Sequence, residues 1–203
     1  MSDHELVVAT GNPGKLLEFR AILGDLPLVL RGAEAFPEVV FPEEGDDYEK
    51  NAVEKARAAA AGSGRAAVGD DSGLEAAALD GAPGPRSARF GGPGLDDAGR
   101  VGALLDALSS SGSADRSARF VCVCALALAD GRVFTARGEC RGRLLEAPRG
   151  RGGFGYDPIF EPEEAAGRSM AELAPARKHA LSHRGRALAA LAPRLRTELL
   201  GED

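Results

Sequence analysis

The sequence predicts an α/β protein built on a mixed sheet, and three observations point there. Short apolar runs alternate with Ala-, Glu- and Lys-rich stretches whose apolar residues recur at helical spacing. Turn chemistry marks the joins, as at Gly62, across Gly81 to Pro85, and at Asp130-Gly131. A hydrophobic share of 44% beside 28% charged residues is enough to bury a core and keep a solvated surface.

The elements follow in order. Glu5 to Ala9 reads as a strand. Lys15 to Leu23 reads as a helix, with Leu16, Phe19, Ile22 and Leu23 close to one helical face. Pro27 to Leu30 is a short strand, followed by a polar loop through Pro42-Glu43-Glu44-Gly45. Tyr48 to Ala61 predicts a helix ended by Gly62, and Ala66 to Gly69 a strand. Asp96 to Leu108 predicts a helix, and Ser109 to Ser113 a flexible linker. Ala118 to Ala129 and Arg132 to Glu139 form a hairpin pattern, with Asp130-Gly131 as a type I′ turn signal. Ile159-Phe160 is a short strand, and Ser182 to Leu191 a helix interrupted near Pro193. No repeat, coiled coil or long low-complexity tract is visible.

Composition sets the functional class. At 203 residues the chain reads as one domain, residues 1–203, with two lobes at most. A net charge of −6 argues against general nucleic-acid binding, which needs a basic stripe. It does not exclude a small anionic substrate, for which a local group of Lys and Arg suffices. Cys122, Cys124 and Cys140 lack disulfide-framework spacing. Cys122 and Cys124 lie in an apolar run and read as small core residues rather than metal ligands. Reduced thiols fit a cytoplasmic protein. The start, Met1-Ser2-Asp3-His4-Glu5, is acidic and unlike a signal peptide. The longest apolar run, Phe120 to Ala129, is about half of what a membrane span requires. Arg far outnumbers Lys, and with the Ala and Gly load this suggests a GC-rich, bacterial gene.

Four polar clusters carry the chemistry. In Thr10-Gly11-Asn12-Pro13-Gly14-Lys15, Asn12 is a good N-cap and Pro13 a good first helical residue. Free N–H groups and the positive helix end there favour phosphate, and Lys15 adds a full charge. An ordinary strand-turn-helix connection is the plainer reading. It is not a Walker A loop, because only two residues separate Gly11 from Gly14 and Leu16 stands where a magnesium-binding hydroxyl would be. Asp70-Asp71-Ser72-Gly73 ends a strand, so alternation sends the two carboxylates to different faces. Adjacent carboxylates at a strand end suit magnesium; a solvated acidic turn is the alternative.

The third cluster, Phe154-Gly155-Tyr156-Asp157, offers rings that stack on a base or fill a core. The nearby Gly150-x-Gly152-x-x-Gly155 is not a dinucleotide fingerprint, since Pro158 rather than a helix follows it. In the fourth, Lys178 with Ser182-His183-Arg184, the cations suit phosphate or base; helix-surface charges are the alternative. His179 and His183 lack the Glu at position 180 that a zinc protease would need. Together the clusters suggest a metal-dependent enzyme acting on nucleotides.

Taken together, these segments resemble the inosine triphosphate pyrophosphatase (Ham1-like) family. The resemblance runs from Ala9-Thr10-Gly11-Asn12-Pro13-Gly14-Lys15-Leu16-Leu17-Glu18 through Asn51-Ala52 to Asp70-Asp71-Ser72-Gly73-Leu74. It continues in Gly81 to Gly84, Ser87-Ala88-Arg89, Gly152 to Pro158, Lys178 and Ser182 to Gly185, covering nearly the whole chain in order. It implies an elongated two-lobed α/β fold with a long mixed sheet flanked by helices and an active-site cleft between the lobes. It implies a homodimer that uses magnesium (Mg2+) to hydrolyse dITP, ITP and XTP to the monophosphate and pyrophosphate, removing deaminated purines from the nucleotide pool. Neither nucleic acid nor membrane is implied as a partner.

By the same resemblance, Thr10, Gly11, Asn12, Pro13, Gly14 and Lys15 hold the triphosphate, with Ser72 nearby. Asp71 is the metal-linked proton acceptor, and Phe154, Gly155, Tyr156, Asp157, Lys178, His183 and Arg184 complete the nucleotide site. The family carries a metal-binding Glu before a Gly in the loop preceding Asn51. Here Glu43 is chosen, with Glu44 left open. In the expected mechanism Asp71 positions or deprotonates a water that attacks the α-phosphorus, while Lys15 and Lys178 offset charge on the departing pyrophosphate. Donors such as Arg184, His183 or a backbone N–H would favour a 6-keto purine, and leaving one unpaired against adenine costs about 1–3 kcal/mol. A pyrophosphatase for modified pyrimidines, and a nucleotide sensor without catalysis, are the competing readings; the presence of Asp71, Ser72 and Lys15 argues against the second.

Overall fold

The structure, a computed structural model, describes residues 4–202. The expectation drawn from Met1, Ser2 and Asp3 lies outside them. The described residues form a seven-stranded mixed sheet. Strand β1 (His4–Ala9) lies parallel to β2 (Leu28–Gly32), with Leu6 opposite Leu30, and parallel to β3 (Ala67–Ala76), with Val8 opposite Val68. The order is β2-β1-β3-β5-β6-β7, and the short β4 (Pro83–Gly84) pairs antiparallel with the far half of β3. Parallel neighbours need crossovers, which the helices supply.

Helix α1 (Pro13–Ile22) begins where the sequence predicts, since the Asn12 side chain caps it and Pro13 fits the first turn. Helix α2 (Tyr48–Ser63) starts at Asp47, whose Oδ1 accepts from Lys50 N at 2.9 Å. It does not stop at Gly62. The chain turns at Gly64, which takes the left-handed conformation at φ 65° and caps the helix. Gly62 is needed for close approach instead, because a Cβ there would stand 2.9 Å from Val39 Cγ2.

Helix α3 (Asp97–Ser110) takes in the first part of the expected linker, capped at its start by Asp96. Strands β5 (Ser117–Ala127) and β6 (Val133–Leu144) are neighbours joined by a tight turn. That turn is not type I′. Gly131 N donates to Leu128 O at 3.0 Å, and of Asp130 and Gly131 only Gly131 has a positive φ. Strand β7 (Phe160–Pro162) pairs antiparallel with β6, Leu144 facing Phe160.

The C-terminal helical stretch differs from expectation. Helix α4 (Pro175–Leu181) ends at Ser182, whose ψ of 150° is extended, and α5 (His183–Leu195) runs through Pro193 without stopping. The break therefore falls between Lys178 and the His183-Arg184 pair.

The chain divides into two compact units, each with its own core. The first holds the described residues of Met1–Asp71, Cys122–Gly138 and Arg184–Asp203, packed around Leu6, Val8, Phe19, Val68, Leu126, Leu188 and Leu191. The second holds Ser72–Val121 and Glu139–His183, packed around Leu74, Leu104, Phe120, Leu144, Ile159 and Phe160. Cys122 and Cys124 are buried free thiols in the first core, as their apolar context predicts, and Cys140 is a buried free thiol in the second. Among the described residues no helix is long and apolar enough to cross a membrane.

Candidate active site

The loop after β1 is organised by its own side chains. Thr10 Oγ1 accepts from Asn12 N at 3.1 Å, and Asn12 Oδ1 accepts from Gly14 N at 2.8 Å and Lys15 N at 3.2 Å. The N–H groups expected to be free for phosphate are thus partly taken up by the cap. What the loop presents is the positive helix end and the Lys15 ammonium. A cavity of about 500 Å³ opens beside it, lined by Thr10 to Pro13 and by apolar residues that include Leu16, Phe36, Val39 and Phe41.

Asp70 and Asp71 do not end a strand but lie in the middle of β3, both almost fully buried. Alternation gives them different company, as expected. Asp70 Oδ2 receives Lys15 Nζ at 3.0 Å and Arg184 Nε and Nη2 at 3.1 and 2.8 Å. Burial alone would raise the Asp70 pKa, but Lys15, Arg184 and Lys55 together hold it far below the usual carboxylate range. Asp71 Oδ2 accepts from Asn51 Nδ2 at 2.8 Å, and its Oδ1 lies 3.6 Å from Lys55 Nζ. Burial pushes the Asp71 pKa up, with Lys55 and Asn51 opposing. A carboxylate held in that sense is a better proton acceptor than an ordinary aspartate.

Of the two loop glutamates, the structure brings Glu44 to this group: its Oε1 accepts from Lys55 Nζ. Glu43 is exposed on the same loop. The loop is fixed by Asn51, whose Oδ1 accepts from Gly45 N at 2.8 Å and whose Nδ2 donates to Gly45 O at 3.1 Å. Lys55 is buried, which alone would lower its pKa, yet Asp70, Asp71 and Glu44 raise it, so it remains a cation. Ser72 follows on β3, half-buried.

In the second unit, Asp157 Oδ2 accepts from Phe154 N at 2.9 Å and from Lys178 Nζ at 2.7 Å. The Lys178 ammonium stands 5.0 Å from the Phe154 ring centre, within cation–π range. Gly153 permits this clamp, since it has φ 72° and a Cβ there would fall 2.0 Å from Asp157 Oδ2. Gly155 N donates to Asp97 Oδ2 at 2.6 Å. His183 stacks on Phe120, ring centres 4.7 Å apart and 10° from parallel. Tyr156 takes the core alternative: it is buried and its hydroxyl donates to Ser87 O at 3.0 Å. Arg184, expected to donate to substrate, is 1% exposed, with its guanidinium engaged by Asp70 and Glu18.

Comparison with known proteins places the chain in a family. A sequence profile described as the Ham1 family matches residues 6–194. The chain belongs to the Ham1 family. It is 50% identical over 198 residues to a dITP/XTP pyrophosphatase of Mycolicibacterium paratuberculosis, covering 95% of this chain and 96% of that one. A dITP/XTP pyrophosphatase of Streptomyces coelicolor is 47% identical, with 97% and 98% covered. Among solved structures, a HAM1 protein from Coxiella burnetii superposes with a TM-score of 0.85 at 41% identity, covering 94% of this chain and 98% of that chain.

Some residues of this Ham1-family chain were not found by sequence reasoning. Asn51 entered only as part of a motif, although it is the residue that orients Asp71. Lys55 carried no assignment; its signal is the i,i+4 spacing from Asn51, which places two polar side chains on one face of an Ala-rich helix. Glu18, one turn after Lys15, gives no such signal. Among the described residues no three His, Cys, Asp or Glu side chains converge as a metal site. The available donors, Asp71 with Glu43 or Glu44, are oxygens, and a cation held by them would complete its shell with water or phosphate, the habit of magnesium. That Lys55 already places a positive charge between Asp71 and Glu44 fits this use of the spot.

Proposed function

We propose that this protein hydrolyses dITP, ITP and XTP to the nucleoside monophosphate and pyrophosphate, cleansing the nucleotide pool of deaminated purines. The observation that carries the reading is Asp71, a buried carboxylate oriented by Asn51 and raised in pKa by its burial. The names and identities of the relatives support the substrate class.

Magnesium, held by Asp71 and a loop glutamate, would polarise phosphate oxygens and water when bound. We assign that glutamate to Glu43, because Glu44 is already spent on Lys55 and serves to anchor the loop. Lys15 draws the triphosphate to the positive end of α1, where residues 10–14 shape the seat and Ser72 adds a hydroxyl. Asp71 accepts the proton of the water attacking the α-phosphorus. Lys15 offsets the charge that builds on the departing pyrophosphate, and we give the second share to Lys55, beside Asp71, rather than to the Lys178 that the sequence suggests, because Lys178 is engaged by Asp157 and the Phe154 ring.

For the base, Phe154 offers a stacking face, and Lys178 and His183 offer donors that a 6-keto purine can use. Asp157 and Gly155 hold that group in place, and Tyr156 anchors the loop from the core. We place the enzyme in the cytoplasm, which the buried free thiols support, and as a homodimer, which the family resemblance implies.

The test is release of pyrophosphate and orthophosphate with magnesium across ITP, XTP, dITP, ATP, GTP, CTP and UTP, with Asp71→Asn as control. Pyrophosphate from the first three, lost by about 10²–10⁴-fold in a folded Asp71→Asn protein, is the expected result. Orthophosphate as product, or no preference for the keto purines, would overturn it.

A further inference from the structure

We propose that Asp70 is a positioning residue that holds the Lys15 ammonium aimed at the triphosphate, with Arg184 and Glu18 locking Asp70 in that task. The proposal rests on the pyrophosphatase reading and adds the device that keeps one of its cations ready.

The geometry is one-sided. Asp70 is 1% exposed, and a single oxygen, Oδ2, takes Lys15 Nζ at 3.0 Å, Arg184 Nε at 3.1 Å and Arg184 Nη2 at 2.8 Å. Its other oxygen, Oδ1, is buried and has no hydrogen-bond partner among the described residues. Two donors from one rigid guanidinium fix where Oδ2 lies. The same guanidinium reaches Glu18 through Nη1. Lys15 and Glu18 lie three residues apart on α1, so both ends of the Asp70–Arg184 pair grip one helix face. The group contains two carboxylates and two cations, so it is balanced only with Lys15 in place.

Exposure decides what the network is for. The Asp70 side chain is 0% exposed and that of Arg184 1%, whereas Lys15 retains 15%. Lys15 is the member at the boundary, the one that can meet a phosphate without dismantling the rest. A lone lysine carries rotamer freedom that binding must remove; pairing with Asp70 removes it beforehand. Asp70 therefore is not the second half of a metal-binding pair with Asp71, whose partners are Asn51 and Lys55.

A double-mutant cycle on ITP turnover tests this, using Asp70→Asn, Lys15→Met and the double variant. Asp70→Asn/Arg184→Gln is included because it removes one buried carboxylate and one buried cation together and leaves the net charge of the group unchanged, although Glu18 then loses Arg184; circular dichroism establishes that each variant assayed is folded. Asp70→Asn, or that charge-neutral double, is expected to lower kcat by about 10- to 100-fold, with a much smaller change in KM. In the Lys15→Met background, Asp70→Asn should lower kcat no further, since Lys15 is the group through which it acts. Losses that multiply, or a kcat left at the wild-type level by both Asp70 variants, would overturn the proposal. A wild-type protein that releases no pyrophosphate would overturn the underlying reading, and the proposal with it.

Discussion

Asn51 donates from Nδ2 to Asp71 Oδ2 across 2.8 Å, and the same side chain brackets Gly45 through both its oxygen and its nitrogen. One residue thus ties the proposed proton acceptor to the loop that carries Glu43 and Glu44. Asn51→Ala should therefore cut both links at once. We expect turnover to fall about 10- to 100-fold and half-maximal activity to require more magnesium, as when an outer partner of a metal ligand is lost. A magnesium titration of ITP hydrolysis measures both effects. Unchanged magnesium dependence would show that Asn51 does not organise the metal loop.

The two loop glutamates should separate cleanly. Glu44 is paired with buried Lys55, whereas Glu43 is exposed. Glu43→Gln is expected to raise the magnesium needed for half-maximal activity by about 10- to 100-fold at little cost in stability. Glu44→Gln should cost stability, because it leaves Lys55 with one carboxylate fewer in a buried setting. Thermal melts beside magnesium titrations of the two variants decide the assignment, and the reverse pattern would make Glu44 the ligand.

The local scaffold around Asn12 and around Asp70 and Asp71 was legible in the sequence. Asn12 and Pro13 encode the start of α1 through local capping, and strand alternation alone separates Asp70 from Asp71. The limits are physical. Arg184 pairs with Asp70 across 114 residues of sequence, and nothing local distinguishes a buried ion-pair partner from a donor awaiting substrate. Gly62 and Gly64 are both possible helix stops by composition; only the approach of Val39 assigns one to packing and leaves the other to the cap. Pro193 suggested a break that α5 does not make, while Ser182, a residue helices tolerate, makes it. The Lys178–Phe154–Asp157 clamp needs Gly153 at a positive φ, which a run of glycines hints at without choosing the residue.

Arg184 provides a test of base reading. Its guanidinium serves Asp70 and Glu18, so Arg184→Ala should lower turnover of ITP, XTP and residual ATP by the same factor. It should also destabilise the fold by about 3–5 kcal/mol, since two buried carboxylates lose their shared cation. Urea unfolding and a substrate panel on the same protein give both numbers. A loss confined to the keto purines would return Arg184 to the base.

Tyr156 gives a pH prediction whose sign follows from burial. Removal from water disfavours the phenolate and pushes the Tyr156 pKa from its ordinary value near 10 up to about 12, with Arg100 opposing and Asp97 adding. The folded state then holds a proton that the unfolded chain releases first. The stability contributed is fully present below about 10 and is lost as pH rises through about 12. The chain has two tyrosines and no tryptophan, so Tyr48→Phe leaves one phenol to follow by its phenolate absorbance. In folded Tyr48→Phe protein the transition should centre near 12, moving to about 10 when urea unfolds the chain. A midpoint near 10 with the fold intact would mean that the Tyr156 hydroxyl is open to water and does not anchor the loop that carries Phe154.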